Sequence, residues 1–111
     1  TDAAARLVLE IATGKAVNAE RSRQMRELMR RDPAAKPTPE GQTTGFTADG
    51  LPAGAKLWSK AGWTSETRHD VAYVELADGR KFVLATFTTD HAKEERLIPT
   101  VARVICDGLR K

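Results

Sequence analysis

In the run Leu57-Trp58-Ser59-Lys60-Ala61-Gly62-Trp63-Thr64, a lysine is set in a largely apolar stretch. A glycine follows it two residues later and a tryptophan lies on either side. Such a lysine is either a solvent-facing guard on an edge strand or a functional cation, because an ammonium is a strong donor to a carboxylate or a carbonyl. Gly62 removes a side chain, so another molecule can approach the backbone at that point. These residue types at this spacing point to a strand lining a binding groove for an anionic or carbonyl-bearing ligand. Ser59 cannot form a Ser/Lys dyad with Lys60, because adjacent strand residues point to opposite faces. The same alternation separates His69 from Asp70 and argues against part of a triad. His91 reads as a surface residue and Cys106 as a buried, inert thiol.

The elements that must position Lys60 follow from the patterning. Apolar positions 4, 7, 8 and 11 predict a first helix, capped by Thr1 or Asp2 and ended at Gly14. Asn18 is the N-cap of a second helix over 19–31, with Ser22, Met25, Leu28 and Met29 as its buried stripe. Arg23, Arg26 and Arg30 share the opposite face, a solvated surface or a phosphate-binding stripe. Residues 32–55 read as a long irregular connection, and Leu51-Pro52-Ala53-Gly54 turns the chain into the first strand.

Three strands follow, over about 55–63, 68–76 and 81–88, the last two joined at Asp78-Gly79. Both parities are apolar in Val71-Ala72-Tyr73-Val74 and in Phe82-Val83-Leu84-Ala85, so the sheet should lie between helical layers. Leu97, Val101, Ile105 and Leu109 mark a terminal helix over 92–109, which Pro99 either kinks or begins. Such a sheet needs more covering helix than these elements supply, and its two edges are open. The expectation is one domain over 1–111 that is the C-terminal fragment of a larger one.

At 111 residues, 41% hydrophobic and 30% charged, the composition is that of an ordinary globular domain. No apolar run is long enough to span a bilayer, and no membrane partner is expected. A net charge of +3 does not demand a nucleic-acid partner. One cysteine makes no internal disulfide, no Cys/His set has metal-ligand spacing, and no cofactor is implied.

Taken in order, Leu51-Pro52-Ala53-Gly54, Ser59-Lys60-Ala61-Gly62, His69-Asp70-Val71-Ala72-Tyr73-Val74, Phe82-Val83-Leu84-Ala85-Thr86-Phe87-Thr88 and the terminal helix resemble the C-terminal part of a class A β-lactamase-like serine hydrolase. That broad family includes penicillin-binding proteins, and Asn18-Ala19-Glu20-Arg21-Ser22-Arg23-Gln24 resembles the helix start of the same region. The resemblance implies an α+β fold: a three-stranded antiparallel sheet, two N-terminal helices and a C-terminal helix, as part of an α/β sandwich. It implies that Lys60 is the electrostatic anchor of a Lys-Thr/Ser-Gly motif and that Trp63 donates an oxyanion-hole N–H. Ala61, Gly62 and Thr64 would then line the substrate, and Arg68 would bring a second cation towards a carboxylate.

The chain departs from that family in two respects. The nucleophile motif Ser-x-x-Lys, the Ser-Asp-Asn motif and the loop glutamate are not in this sequence, so the segment alone should be inactive. Ala61 stands where a hydroxyl is usual, removing a hydrogen bond worth roughly 1.5–3 kcal/mol to a charged partner. With the bulky Trp63, it points to an altered amide or ester substrate. The expected partners are a small amide or β-lactam-like substrate, and either the missing N-terminal part of the protein or a second copy through an open sheet edge. The compartment implied is periplasmic or secreted. The alternative from another class is a small non-catalytic interaction domain that binds nucleic acid through the basic second helix.

Overall fold

The computed structural model describes residues 1–38 and 41–110. Helix α1 (Asp2–Ala12) ends as the sequence predicts. Gly14 takes a left-handed φ of 82°, its N–H donates to the Ile11 carbonyl and that of Lys15 to the Glu10 carbonyl. This paired closure satisfies two orphan carbonyls of the last turn. Helix α2 (Ala19–Met29) starts at Asn18, whose Oδ1 accepts the Arg21 N–H at 2.8 Å.

The sheet has four antiparallel strands rather than three, in the order β1-β2-β3-β4. The additional strand is β1 (Arg30–Arg31), which pairs with Trp58 and Leu57 where α2 was expected to continue. Two arginines carry no strand periodicity, so only the tertiary pairing defines it. β2 (Lys56–Trp63), β3 (Thr67–Glu75) and β4 (Lys81–Thr89) form a meander. The Asp78-Gly79 turn closes as a three-residue loop with Gly79 at φ 89°, and Leu76 N–H bonds the Arg80 carbonyl at 2.8 Å. Within 32–55, the 3₁₀ turn Thr47–Gly50 is the one helical piece among the described residues; Pro39 and Glu40 of this connection lie outside them.

Helical layers cover both sheet faces. On one, Leu57, Ala72, Val74 and Leu76 meet Ala48 and Cys106, from the 3₁₀ turn and α3 (Leu97–Leu109). On the other, Trp58, Val71 and Tyr73 pack against Val8 of α1 and Met29 of α2. The α3 helix begins five residues later than expected, so Pro99 falls in its first turn and introduces no kink in mid-helix.

Two stripes differ from the sequence reading. In α3 the buried residues are Ile98, Pro99, Ala102 and Cys106, one position round from Leu97, Val101, Ile105 and Leu109. The reason is close approach: a Cβ on Gly50 would lie 2.1 Å from the Pro99 carbonyl oxygen and 2.9 Å from the Ala102 Cβ. Small residues on both sides bring the two backbones together, and the larger apolar side chains are left on the flank. In α2, Leu28 is 78% exposed while Arg26 is half-buried against the sheet.

A methyl at Gly50 should therefore be costly, while one at Gly108 in α3 meets no neighbour within 4 Å. Thermal unfolding should show Gly50→Ala destabilising by about 1–3 kcal/mol through overpacking. Gly108→Ala should be neutral or stabilise by up to about 1 kcal/mol through helix propensity. Equal melting temperatures for the two variants would rule out this docking of α3.

Candidate functional site

The hydrogen-bond alternation of β2 fixes what its outer edge presents. Thr64 N–H donates to the Thr67 carbonyl at 2.9 Å, closing the β2–β3 hairpin. Antiparallel pairs alternate, so the adjoining Trp63–Arg68 pair exchanges no backbone bonds and Trp63 turns its N–H and C=O away from β3. Ala61 shares this parity. β1 reaches only Leu57 and Trp58, so beyond them the β2 edge has no strand partner among the described residues. The Ala61 N–H is taken instead by Gln42 Oε1 at 3.0 Å, an oxygen that also accepts Arg31 Nη2 at 3.2 Å.

Lys60 is exposed and its Nζ donates to the Ala61 carbonyl, which carries the ammonium round to the same edge. No carboxylate pairs with it among the described residues. Gly62 faces His69 in an unbroken register, without a bulge. A Cβ there would meet nothing within 4 Å and its φ is not left-handed, so the fold itself does not require this glycine. Thr64 serves its own turn: its Oγ1 accepts the N–H groups of Glu66 and Thr67 and lies 2.9 Å from Thr67 Oγ1.

The strand's two faces have separate duties. Ser59 is buried beneath the 3₁₀ side while Lys60 is exposed on the other, so the two do not form a dyad. Trp58 and Trp63 fall on opposite faces: Trp58 is core, and Trp63, 48% exposed, packs on Phe46 with ring centroids 5.6 Å apart. His69 stacks on Phe87 at 4.6 Å and its Nδ1 accepts the Thr88 N–H at 3.1 Å, while Asp70 points to the opposite face.

Arg68 is 8% exposed and is committed to the loop over β2. Its Nε donates to the Gly45 carbonyl at 3.1 Å, its Nη2 to the Thr44 carbonyl at 3.3 Å, and its guanidinium lies 3.9 Å from the Phe46 ring centroid. The guanidinium thus acts on the groove wall through Phe46 and Trp63, where the sequence suggested a second cation for a substrate carboxylate. Asp70, two residues on and 1% exposed, completes the clamp by accepting the Thr47 N–H at Oδ2, 2.9 Å. Burial pushes its carboxyl above the usual aspartate range, with the Thr47 N–H bond acting the other way. Asp70 Oδ1, Thr47 Oγ1, Ser59 Oγ and Thr86 Oγ1 have no hydrogen-bond partner among the described residues.

Sequence reasoning passed over Gln42 and Phe46 because both sit in the irregular connection, where no periodicity marks a contact. The polar Gln42-Thr43-Thr44 patch was their one visible signal. Burial similarly pushes the Cys106 thiol up, in keeping with an inert core cysteine. Among the described residues, no cluster of three or more His, Cys, Asp or Glu could hold a metal, and no helix is long and apolar enough to cross a membrane.

A sequence profile of the Beta-lactamase enzyme family matches residues 1–109. No curated protein matches the chain significantly. Among solved structures, PBP-A superposes with a TM-score of 0.75 at 24% identity, over 96% of this chain and 38% of that one; a second PBP-A structure is an acyl-enzyme complex with penicillin-G. A class A β-lactamase from Clostridium kluyveri gives a TM-score of 0.70 at 17% identity, over 93% of this chain and 38% of that one. A variant of the last common ancestor of Gram-negative class A β-lactamases gives 0.68 at 23%, over 91% and 37%. The chain therefore spans less than two fifths of the length of each of these structures.

Asp70 gives the clamp a pH dependence. A carboxyl whose folded pKa lies above its unfolded value binds its proton more tightly in the native state. Stability therefore falls as pH rises from about 4 through the folded pKa. Asp70→Asn retains an acceptor for the Thr47 N–H without the buried charge. Its melting temperature should match the parent near pH 4 and exceed it by a margin that widens as pH rises through the folded pKa and then levels off. A margin that shrinks with rising pH would contradict the assignment.

Proposed function

The chain belongs to the β-lactamase enzyme family, and we propose that it supplies the Lys-x-Gly wall of an acyl-transfer site for an amide or β-lactam substrate. The observation that carries this reading is the open β2 edge, where the Lys60 ammonium and the outward Trp63 N–H lie on either side of Gly62. A substrate carboxylate would meet Lys60, and the carbonyl under attack would place its developing negative charge on the Trp63 N–H. Ala61 and Gly62 would line the bound chain, held by main-chain pairing along the edge. The fold's indifference to a side chain at Gly62 agrees with a space kept for a ligand. The acyl-enzyme seen for PBP-A with penicillin-G supports the reaction class.

In this reading the serine nucleophile comes from a segment outside the present sequence, the N-terminal part of the same protein. Two surfaces fit such a segment. The outer edge of β4 has no strand partner among the described residues. On α3, Leu97, Val104, Ile105 and Leu109 are exposed although apolar. The compartment of the family, periplasmic or secreted, comes with this reading. Alone, the chain should bind weakly and turn nothing over.

The test is a ¹⁵N NMR titration of the chain with benzylpenicillin. The amides of Gly62 and Trp63 should shift saturably, and Lys60→Ala should weaken the response about tenfold, as expected for one charge-assisted hydrogen bond. Gly62→Ala should keep the melting temperature while weakening binding. Unmoved Trp63 and Gly62 amides at saturating ligand would remove the assignment. In the protein joined to its nucleophile-bearing segment, Lys60→Ala should lower kcat/KM on the order of 10²-fold, the size seen when one preorganised group is lost.

A further inference from the structure

A concavity lies away from the Lys60 edge, between the end of α1, the α2 helix and Trp58. Its volume is about 490 Å³, within the range of small-molecule sites. Trp58 is its floor, Ile11, Ala12 and Gly14 form one wall, and Arg26 and Arg30 form the other.

The two arginines set its chemistry. Arg26 lies in the last turn of α2 and Arg30 opens β1 opposite Trp58, and both guanidiniums lie over the same indole, at 4.6 Å for Arg26 and 4.8 Å for Arg30. Cation–π attraction holds each in place, but like charges at this spacing repel. Neither meets a carboxylate among the described residues; Arg26 Nη1 has a long contact of 3.4 Å to the Ala12 carbonyl. Arg23, one turn earlier on the same helix, shows the contrast. Glu20 and Glu27 hold it at 2.6 Å each, so the one glutamate lining the cavity is paired with Arg23 rather than with Arg26 or Arg30. Guanidiniums held over an indole still have N–H groups to donate, and the planar fork of an arginine suits a carboxylate or phosphate.

We propose that this cavity binds a small organic oxyanion, a carboxylate or a phosphate monoester. The oxygens lie between Arg26 and Arg30, and an apolar or planar body rests on Trp58 and the Ile11–Ala12 wall. The anion relieves the repulsion between the two guanidiniums, which no protein carboxylate among the described residues does. The site lies on the same face of β2 as Lys60, two residues away, yet uses none of the groups assigned to acyl transfer.

Trp58 reports on its own cavity once the other tryptophan is removed, so the experiment uses the whole chain carrying Trp63→Phe. Benzoate, phenyl phosphate and neutral benzamide are titrated separately at constant ionic strength in sodium chloride, following Trp58 fluorescence. At least one of the two anions should give a saturable change that benzamide does not, and the tighter anion identifies the head group. Arg26→Gln and Arg30→Gln should each weaken it at least tenfold and Arg30→Lys several-fold. Lys60→Ala should leave it unchanged, which separates this site from the acyl-transfer reading. Circular-dichroism melts identify any variant that fails to fold, and Arg30→Lys then carries the comparison. A linear response to both anions, an equal response to benzamide, or unchanged affinity in the folded arginine variants would overturn the proposal.

Discussion

Two side chains on one face of β3 hold the irregular part of this molecule in place. Arg68 bonds the carbonyls of Thr44 and Gly45, and Asp70 accepts the N–H of Thr47, so the loop is tied to the sheet from below at three residues within 44–47. Everything presented at the β2 edge depends on this. The clamped loop brings Gln42 to the Ala61 N–H and Phe46 to the ring of Trp63. Buried ionisable groups are expensive unless satisfied, and Arg68 is satisfied by backbone carbonyls and an aromatic face. Asp70 is only half satisfied, with one oxygen bonded and the other not. The clamp is therefore a positioning device maintained at some cost in stability.

Strand alternation converts that clamp into a division of labour. Residues of β2 that face the 3₁₀ turn and α3, such as Leu57, Ser59 and Ala61, are buried. On the other face Trp58 is core beneath α1 and α2, and the strand then emerges into solvent at Lys60 and Gly62. The transition from core to surface occurs within two residues, at the point where β1 stops pairing. Ala61 and Trp63 lie on the buried parity yet turn their backbone polar groups to the open edge. A side chain can thus serve packing while its own amide faces a ligand.

Much of this was legible in the sequence because it is periodic or capped. Asn18, Gly14 and Asp78-Gly79 placed two helix ends and a hairpin, and doubly apolar β3 required layers on both faces. Misreadings arose where contact depends on small size or distant partners. The α3 stripe was assigned by bulk, but Gly50, Pro99 and Ala102 make the close contact, so the packed face is the smaller one. β1 is defined only by its partner strand. Arg26 sits half-buried against the sheet because Trp58 accepts a cation on its ring, a pairing that hydrophobic patterning cannot register. Lys60 and Gly62 stood out by type and spacing, whereas Gln42 and Phe46 became visible only once the loop was folded back.

The clamp also implies an order of assembly. The β2–β3–β4 meander is made of contacts between neighbours in the chain, which close cheaply and early. The bonds from Arg68 and Asp70 to the loop span 23 or 24 residues and bring no further ladder with them. Loop docking then follows the meander on folding and precedes its loss on opening. Amide exchange at Thr47 and Ala61, both bonded to side chains rather than to a ladder, should outpace that at Val71 and Ala72. The groove would thus breathe on its own timescale while the sheet beneath it stays closed.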